Sequence, residues 1–312
     1  MANLAYIQIT RECNQRCIIC SNPPSGRRNL TLARAKKLID KYIKAGHDGL
    51  ILSGGEPTVY PFLAEIIAYC RRKKFPVRLI SNGQKMADAK YVKLLARAGL
   101  RHVGISIYSN NTEIQTQITR NNSALANVEA ALSNLIEAKI RIDICIAISK
   151  LNANHLSSVV RFVLKKYPSI THLVFNNLDP TASRVKENPQ TIPRLADLEI
   201  ELVKSLKLLA KNKKTCRVER VPLCYLPEFE YCSTETRKIV KKETRPIYFL
   251  DEKGFLLQEG FVHEKGRQCK VCFLNDICAG LFQAKTYFDI KELYPVFVSK
   301  KEVERKILAD EK

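Results

Sequence analysis

Three features of the sequence predict an α/β chain that opens with a partial, TIM-like (β/α)6 barrel and ends in a small second domain. Short apolar runs alternate with stretches of helical periodicity over roughly the first 180 residues. The connections between them are short, as parallel strands with outer helices require. Past residue 215 the alternation gives way to a hairpin pattern and a group of cysteines. The chain has 312 residues, 46% of them apolar. That suits a barrel of about 200 residues with an appendage.

The elements follow in order. Ala5 to Thr10 reads as the first strand. Thr31 to Ala45 places Leu32, Ala35, Leu38, Ile39, Tyr42 and Ile43 on one helical face, and Gly46 stands where a helix-ending glycine belongs. Gly49 to Leu52 is a strand, Pro61 to Lys73 a helix, and Val77 to Ile80 a third strand. Ala87 to Ala98 is a helix closed by Gly99, and His102 to Ile107 a fourth strand. Ser123 to Ala138 is a helix with Leu125, Val128, Leu132, Leu135 and Ile136 on one side. Ile140 to Ile148, Asn154 to Tyr167 and His172 to Phe175 complete the strand–helix–strand alternation. Six units are too few for a closed eight-unit barrel, so an open one is expected, with its reactive face at the carboxyl ends of the strands. The barrel is assigned to residues 1–180 and a Pro-containing linker with the helix Leu195 to Ala210 to 181–214. A cysteine-bearing domain takes 215–300, and 301–312 form a tail. Within it, Ile247 to Gln258 reads as a hairpin turning at Asp251 to Gly254.

Lysine and arginine number 52 against 31 aspartates and glutamates, a formal charge of +21. Such an excess attracts polyanions, so nucleic acid is a possible partner. Basic runs such as Arg71 to Lys74 and Lys211 to Lys214 fall at predicted helix ends, where cations also suit the helix dipole. No apolar run reaches the roughly 20 residues that span a bilayer, which predicts no membrane partner. The first residues do not read as an export signal, and a cytoplasmic protein is expected.

Eleven cysteines stand at 13, 17, 20, 70, 145, 216, 224, 232, 269, 272 and 278. An odd number without an export signal argues against a disulfide framework. Two tight triplets point instead to metal. Cys70 and Cys145 fall on helix and strand patterns and are expected in the core.

Cys13, Cys17 and Cys20 follow the first strand directly. Three thiolates can hold three irons of a 4Fe-4S cube and leave the fourth open to a small molecule. Taken alone, the triplet also fits a zinc site. Gly54-Gly55-Glu56-Pro57 follows the second strand, Ser81-Asn82-Gly83 the third, and Ser106 ends the fourth. The triplet and these turns, in this order, resemble the radical SAM superfamily over about residues 4–180. The resemblance implies that Cys13, Cys17 and Cys20 bind a 4Fe-4S cluster whose open iron takes the amino and carboxylate groups of S-adenosylmethionine. It further implies that Gly54, Gly55, Glu56, Pro57, Ser81, Asn82 and Ser106 surround that ligand. Glu56 would offer its carboxylate to the protonated amine. Lys150, after the fifth strand, is a candidate partner of the ligand's carboxylate, though a solvated lysine explains it as well. Where the family usually has an aromatic residue before the last cysteine, this chain has Ile19.

Cys269, Cys272 and Cys278, followed by Ala279-Gly280, resemble the SPASM or shorter twitch domains of the same superfamily. The resemblance implies one auxiliary 4Fe-4S cluster with Cys224 as fourth ligand; Cys216 and Cys232 compete for that place, and structural zinc is the alternative metal. Three function classes follow. The first is an enzyme that cleaves S-adenosylmethionine and takes hydrogen from a peptide or protein side chain, with a reductant such as ferredoxin or flavodoxin. The second is the same chemistry on RNA or a small metabolite. The third is a non-enzymatic redox scaffold, against which the ligand-binding turns speak.

Overall fold

A computed structural model describes residues 4–23, 26, 29–250, 254–283 and 287–309. The partial barrel begins with β1 (Leu4–Thr10), α1 (Leu32–Lys44), β2 (Gly49–Gly54), α2 (Leu63–Arg72), β3 (Val77–Ser81) and α3 (Ala89–Ala98). It continues through β4 (His102–Ser106), α4 (Thr112–Thr119), α5 (Ala124–Glu137), β5 (Arg141–Ile148), α6 (Leu156–Lys166) and β6 (His172–Asn177). After β6 come α7 (Ser183–Glu187), α8 (Leu195–Lys211), β7 (Thr215–Glu219), α9 (Thr234–Lys241), β8 (Arg245–Tyr248), β9 (Phe255–Gln258) and α10 (Lys300–Ala309).

Among the described residues nine strands form one open sheet in the order β7-β6-β5-β4-β3-β2-β1-β8-β9. All neighbours are parallel except the β8–β9 hairpin. The sheet is wider than the sequence predicts. Thr215–Glu219, assigned above to the C-terminal domain, pairs with β6 as a seventh parallel strand. Its run offers only Cys216 and Val218 as apolar signal, too little for a periodicity argument. The helix assigned to a linker, α8, packs on α6 as an outer helix of the barrel. The predicted hairpin forms, but it joins the barrel sheet through Tyr6 opposite Ile247 and Ile7 opposite Tyr248. Most of its turn, residues 251–253, lies outside the described residues.

The core lies between the sheet and its outer helices. Ile7, Ile9, Leu50, Leu52, Leu79, Val103, Ile144 and Phe175 face α-helical residues such as Ile39, Ile66, Leu132 and Val160, all essentially fully buried. Helix α1 buries Ala35, Leu38, Ile39 and Tyr42 as its periodicity requires, and Gly46 ends it at φ +77°. In α5 Ile136 is 37% exposed, so the buried stripe is narrower than predicted. Basic residues do sit in the last turns of α1, α2 and α6. Among the described residues no helix is long and apolar enough to cross a membrane.

The other face of the sheet is polar. At the amino ends of the strands Asp143 is buried with Arg78 at 3.0 Å and His102 at 2.9 Å. Burial raises the Asp143 carboxyl, but the His102 hydrogen bond and the Arg78 charge outweigh it and hold it below the ordinary range. Cys145 corrects an expectation. Its thiol is only half-buried and lies beside Arg78 over Gly104 on this polar face, instead of joining the aliphatic core. Burial also depresses His172 to about 4, helped by the charges of Arg217, Arg78 and Arg141 and opposed by Asp143. A histidine whose folded value lies below the usual ~6.5 binds its proton more readily when unfolded. Its stabilising contribution is therefore complete above about pH 6.5 and is lost as pH falls toward 4. Thermal unfolding followed across that window should show Tm declining, and His172→Asn should flatten the decline.

Candidate functional site

The first thiol group lies at the carboxyl end of β1, the reactive end of a parallel sheet. Its loop is held from three sides. The Ile18 N–H donates to the Ile118 carbonyl at 2.9 Å, at the end of α4. From α7, Arg184 donates to the Cys17 carbonyl at 3.2 Å through its guanidinium and to the Cys20 carbonyl at 3.4 Å through its backbone. Arg11 reaches Asn22 at 3.1 Å and the Pro23 carbonyl at 3.0 Å.

The GGEP turn closes the fourth side. The Gly55 N–H donates to the Thr10 carbonyl and the Glu56 N–H to the Glu12 carbonyl, both at 2.8 Å. A Cβ on Gly54 would stand 2.1 Å from the Thr10 oxygen, and one on Gly55 2.2 Å from the Glu12 oxygen. Glycine is thus demanded by the close approach of β2 to the cysteine loop itself.

Glu56 does not have the place the sequence gives it. Its carboxylate is 1% exposed and accepts from the Thr58 N–H (3.0 Å), Thr58 Oγ1 (2.7 Å), Ser81 Oγ (2.8 Å) and the Asn82 N–H (2.7 Å). Four protein donors engage the carboxylate, and the residue ties the β2 turn to the β3 turn. Ser81 is 1% exposed and likewise engaged, donating to Glu56 and accepting from the Gly83 N–H. Replacing Glu56 by Leu leaves these donors without an acceptor, at about 1–3 kcal/mol for each that finds no water. We expect a loss of about 3 kcal/mol overall, read as a lower urea midpoint with unchanged slope.

Asn82 carries the link onward. Its Nδ2 donates to Asn14 Oδ1 at 2.8 Å and lies 3.7 Å from Cys13 Sγ. The Tyr108 hydroxyl lies near Ser106 and feels the charges of Cys17, Cys20 and Cys13. Burial, and then those charges, push Tyr108 well above its ordinary value. Neither Tyr108 nor Arg184 is singled out by the sequence: one follows a strand without a motif, and the other lies 167 residues from Cys17. Lys150 is exposed, and its N–H donates to the Thr191 carbonyl. Ile19 is buried with Ile118, Leu178, Ala182 and Val185. Pro57 starts a short turn of 3-10 helix capped by Glu56.

Burial pushes the Cys13 thiol up to about 11 and Cys17 to about 12, and raises Cys20 as well. Arg184 opposes this at Cys17 and Cys20. Such thiols stay protonated until a metal replaces the proton. Among the described residues no three His, Cys, Asp or Glu side chains converge at single-ion distance. One zinc, about 2.3 Å from each sulfur, would need them roughly 4 Å apart. Three soft sulfur donors on one short loop are the donor set of an iron–sulfur cube.

The second thiol group, Cys269, Cys272 and Cys278, lines one small cavity together with Cys224, Leu223 and Tyr294. The Val296 N–H donates to Cys272 Sγ and the Gly280 N–H to Cys278 Sγ, both at 3.3 Å. The Tyr294 hydroxyl donates to the Cys224 carbonyl. Burial pushes Cys224 up to about 12. Cys216 and Cys232 lie elsewhere, against each other.

Residues 7–163 match the Radical SAM superfamily. The chain belongs to the radical SAM superfamily. Radical SAM enzymes work with a 4Fe-4S cluster and S-adenosylmethionine, and Cys13, Cys17, Cys20 and the Gly54–Pro57 turn lie within the matched part. Among curated relatives, the probable GTP 3',8-cyclase of Thermococcus kodakarensis is 27% identical over 165 residues, covering 51% of this chain and 52% of that protein. The AdoMet-dependent heme synthase of Methanosarcina barkeri is 29% identical over 218 residues, covering 67% and 60%. The chain thus spans about half of the curated relatives' length. Among solved structures, Streptococcus suis SuiB bound to precursor peptide SuiA superposes with a TM-score of 0.65 at 15% identity, covering 94% of this chain and 67% of that one. The fold shared with that structure therefore extends past the family match into the C-terminal part.

Proposed function

We propose that this radical SAM enzyme cleaves S-adenosylmethionine at Cys13, Cys17 and Cys20 and takes a hydrogen atom from a peptide or protein side chain. The observation that carries the reading is the meeting of three turns at one strand end. The cysteine loop, the GGEP turn and Asn82 are tied by the Gly55 and Glu56 N–H bonds and by the Glu56 carboxylate.

Cys13, Cys17 and Cys20 would hold the cluster, which would supply the one electron needed to cleave a sulfur–carbon bond of S-adenosylmethionine into methionine and a 5′-deoxyadenosyl radical. The chain's own residues set the geometry. Arg184 and the α4 carbonyls fix the loop, and Asn82 fixes the Cys13 side. Gly54, Gly55 and Pro57 supply a rigid wall, with Ser106 and Tyr108 opposite. Ile19 and its neighbours keep water from the loop's far side. Glu56 orders the wall from behind.

Cys224, Cys269, Cys272 and Cys278 are the proposed ligands of an auxiliary 4Fe-4S cluster in the C-terminal part that follows β7. Four thiolates close that cluster, which suits electron transfer with a carrier such as ferredoxin or flavodoxin. Peptide substrate is favoured because the peptide-bound SuiB structure aligns over 94% of this chain. The formal charge of +21 is the observation that favours RNA instead.

The test adds lysate peptides or transfer RNA to reconstituted enzyme and follows 5′-deoxyadenosine and product masses. Stimulation by peptides, with a mass change in one of them, is the expected result. Transfer RNA that binds tightly and stimulates cleavage would overturn the peptide reading. Binding through 6 or more phosphates should then weaken by about 10³ or more between 50 and 200 mM salt.

A further inference from the structure

Cys216 and Cys232 belong to neither thiol group. Cys216 lies on β7 and Cys232 in the turn before α9, and their sulfurs are 3.1 Å apart. That is closer than the roughly 3.5–4.0 Å of ordinary non-bonded heavy atoms. Both are buried, at 5% and 2% exposure. The backbones are held beside each other by a parallel bridge between Val218 and Ser233, two residues and one residue further along. A disulfide, with sulfurs about 2.05 Å apart, needs about 1 Å more approach. The two cysteines also bracket the segment that carries Cys224.

We propose that Cys216 and Cys232 are a site of intramolecular disulfide formation, closed by a small two-electron oxidant such as hydrogen peroxide. Two S–H bonds break and one S–S bond forms. The peroxide O–O bond breaks, and the two electrons and two protons leave as two waters. Burial selects the oxidant, because peroxide can diffuse to the pair whereas glutathione and protein thiols are too large. The Cys216 hydrogen bond and burial keep the Cys232 thiol protonated. The reaction is therefore slow and calls for sustained exposure. Once closed, the bridge is shielded from thiol reductants for the same reason. It would clamp both ends of the Cys224 segment against β7; the benefit to a cluster rests on the function proposed above, whereas bridge formation does not.

The experiment treats anaerobically prepared holoprotein with peroxide over hours, alkylates it in denaturant, and maps cysteine peptides by mass spectrometry. The expected product is a Cys216–Cys232 peptide two hydrogens lighter than the two separate thiol peptides. Alkylation of both cysteines under conditions that oxidise other thiols would overturn the proposal, as would a dominant bridge from either one to Cys224. Closing a loop of about 15 residues should raise Tm by about 5 °C relative to Cys232→Ser protein given the same treatment. An equal rise in Cys232→Ser protein would equally overturn it. Iron lost to peroxide would affect both proteins alike and cancels in the comparison.

Discussion

Replacing Cys13, Cys17 and Cys20 together by alanine should reduce 5′-deoxyadenosine formation to background in reconstituted, reduced protein. The three thiols share one loop, and nothing else described nearby offers a soft donor. Asn82 and Gln15 approach the sulfurs only as weak hydrogen-bond partners. The loop's frame depends on Arg184, Ile18 and the GGEP turn, none of which the replacement removes. The triple variant should therefore fold and keep its second metal site. Iron should fall by about four atoms per chain, one cube, and not to zero. Continued cleavage of S-adenosylmethionine by the triple variant would refute the assignment.

The second large effect concerns the C-terminal cavity. Changing Cys269, Cys272 and Cys278 to alanine should again remove about four irons while the first cluster survives. Cys224→Ala should labilise the same cluster, whereas Cys216→Ser and Cys232→Ser should leave iron content unchanged. The distinction follows from position: Cys224 lines the cavity with the triplet, and Cys216 and Cys232 face each other. Zinc found in place of the extra iron would make the domain structural. Loss of iron in Cys232→Ser but not in Cys224→Ala would reassign the fourth ligand.

Much of this was legible in the sequence, for physical reasons. Strands buried along their whole length, such as Gly49 to Gly54, write themselves as apolar runs, and amphipathic helices such as α1 as a repeating face. Cysteine spacing is equally visible, because ligand geometry is local. What escaped depends on distant contacts. β7 has too few apolar positions to announce a strand. Cys145 sits in an apolar run, and only the arrangement of Arg78 across the sheet reveals its polar side. Glu56 looked like a ligand-facing carboxylate because one sequence cannot show that Thr58, Ser81 and Asn82 converge on it. Arg184 supports the cysteine loop from a segment that reads as linker.

The pairing of β8 with β1 has a consequence for biosynthesis. Strand β1 gains β2 early, within about fifty residues of chain, but its other edge is covered only when Ile247 and Tyr248 arrive. At about 5–20 residues per second, translation leaves that edge open for roughly 10–50 s. An uncovered strand edge is a template for pairing with another chain. The loop of Cys13, Cys17 and Cys20 begins only three residues beyond this edge strand. Nascent chains stalled before residue 245 should consequently aggregate or hold chaperones, and chains released after β9 should not.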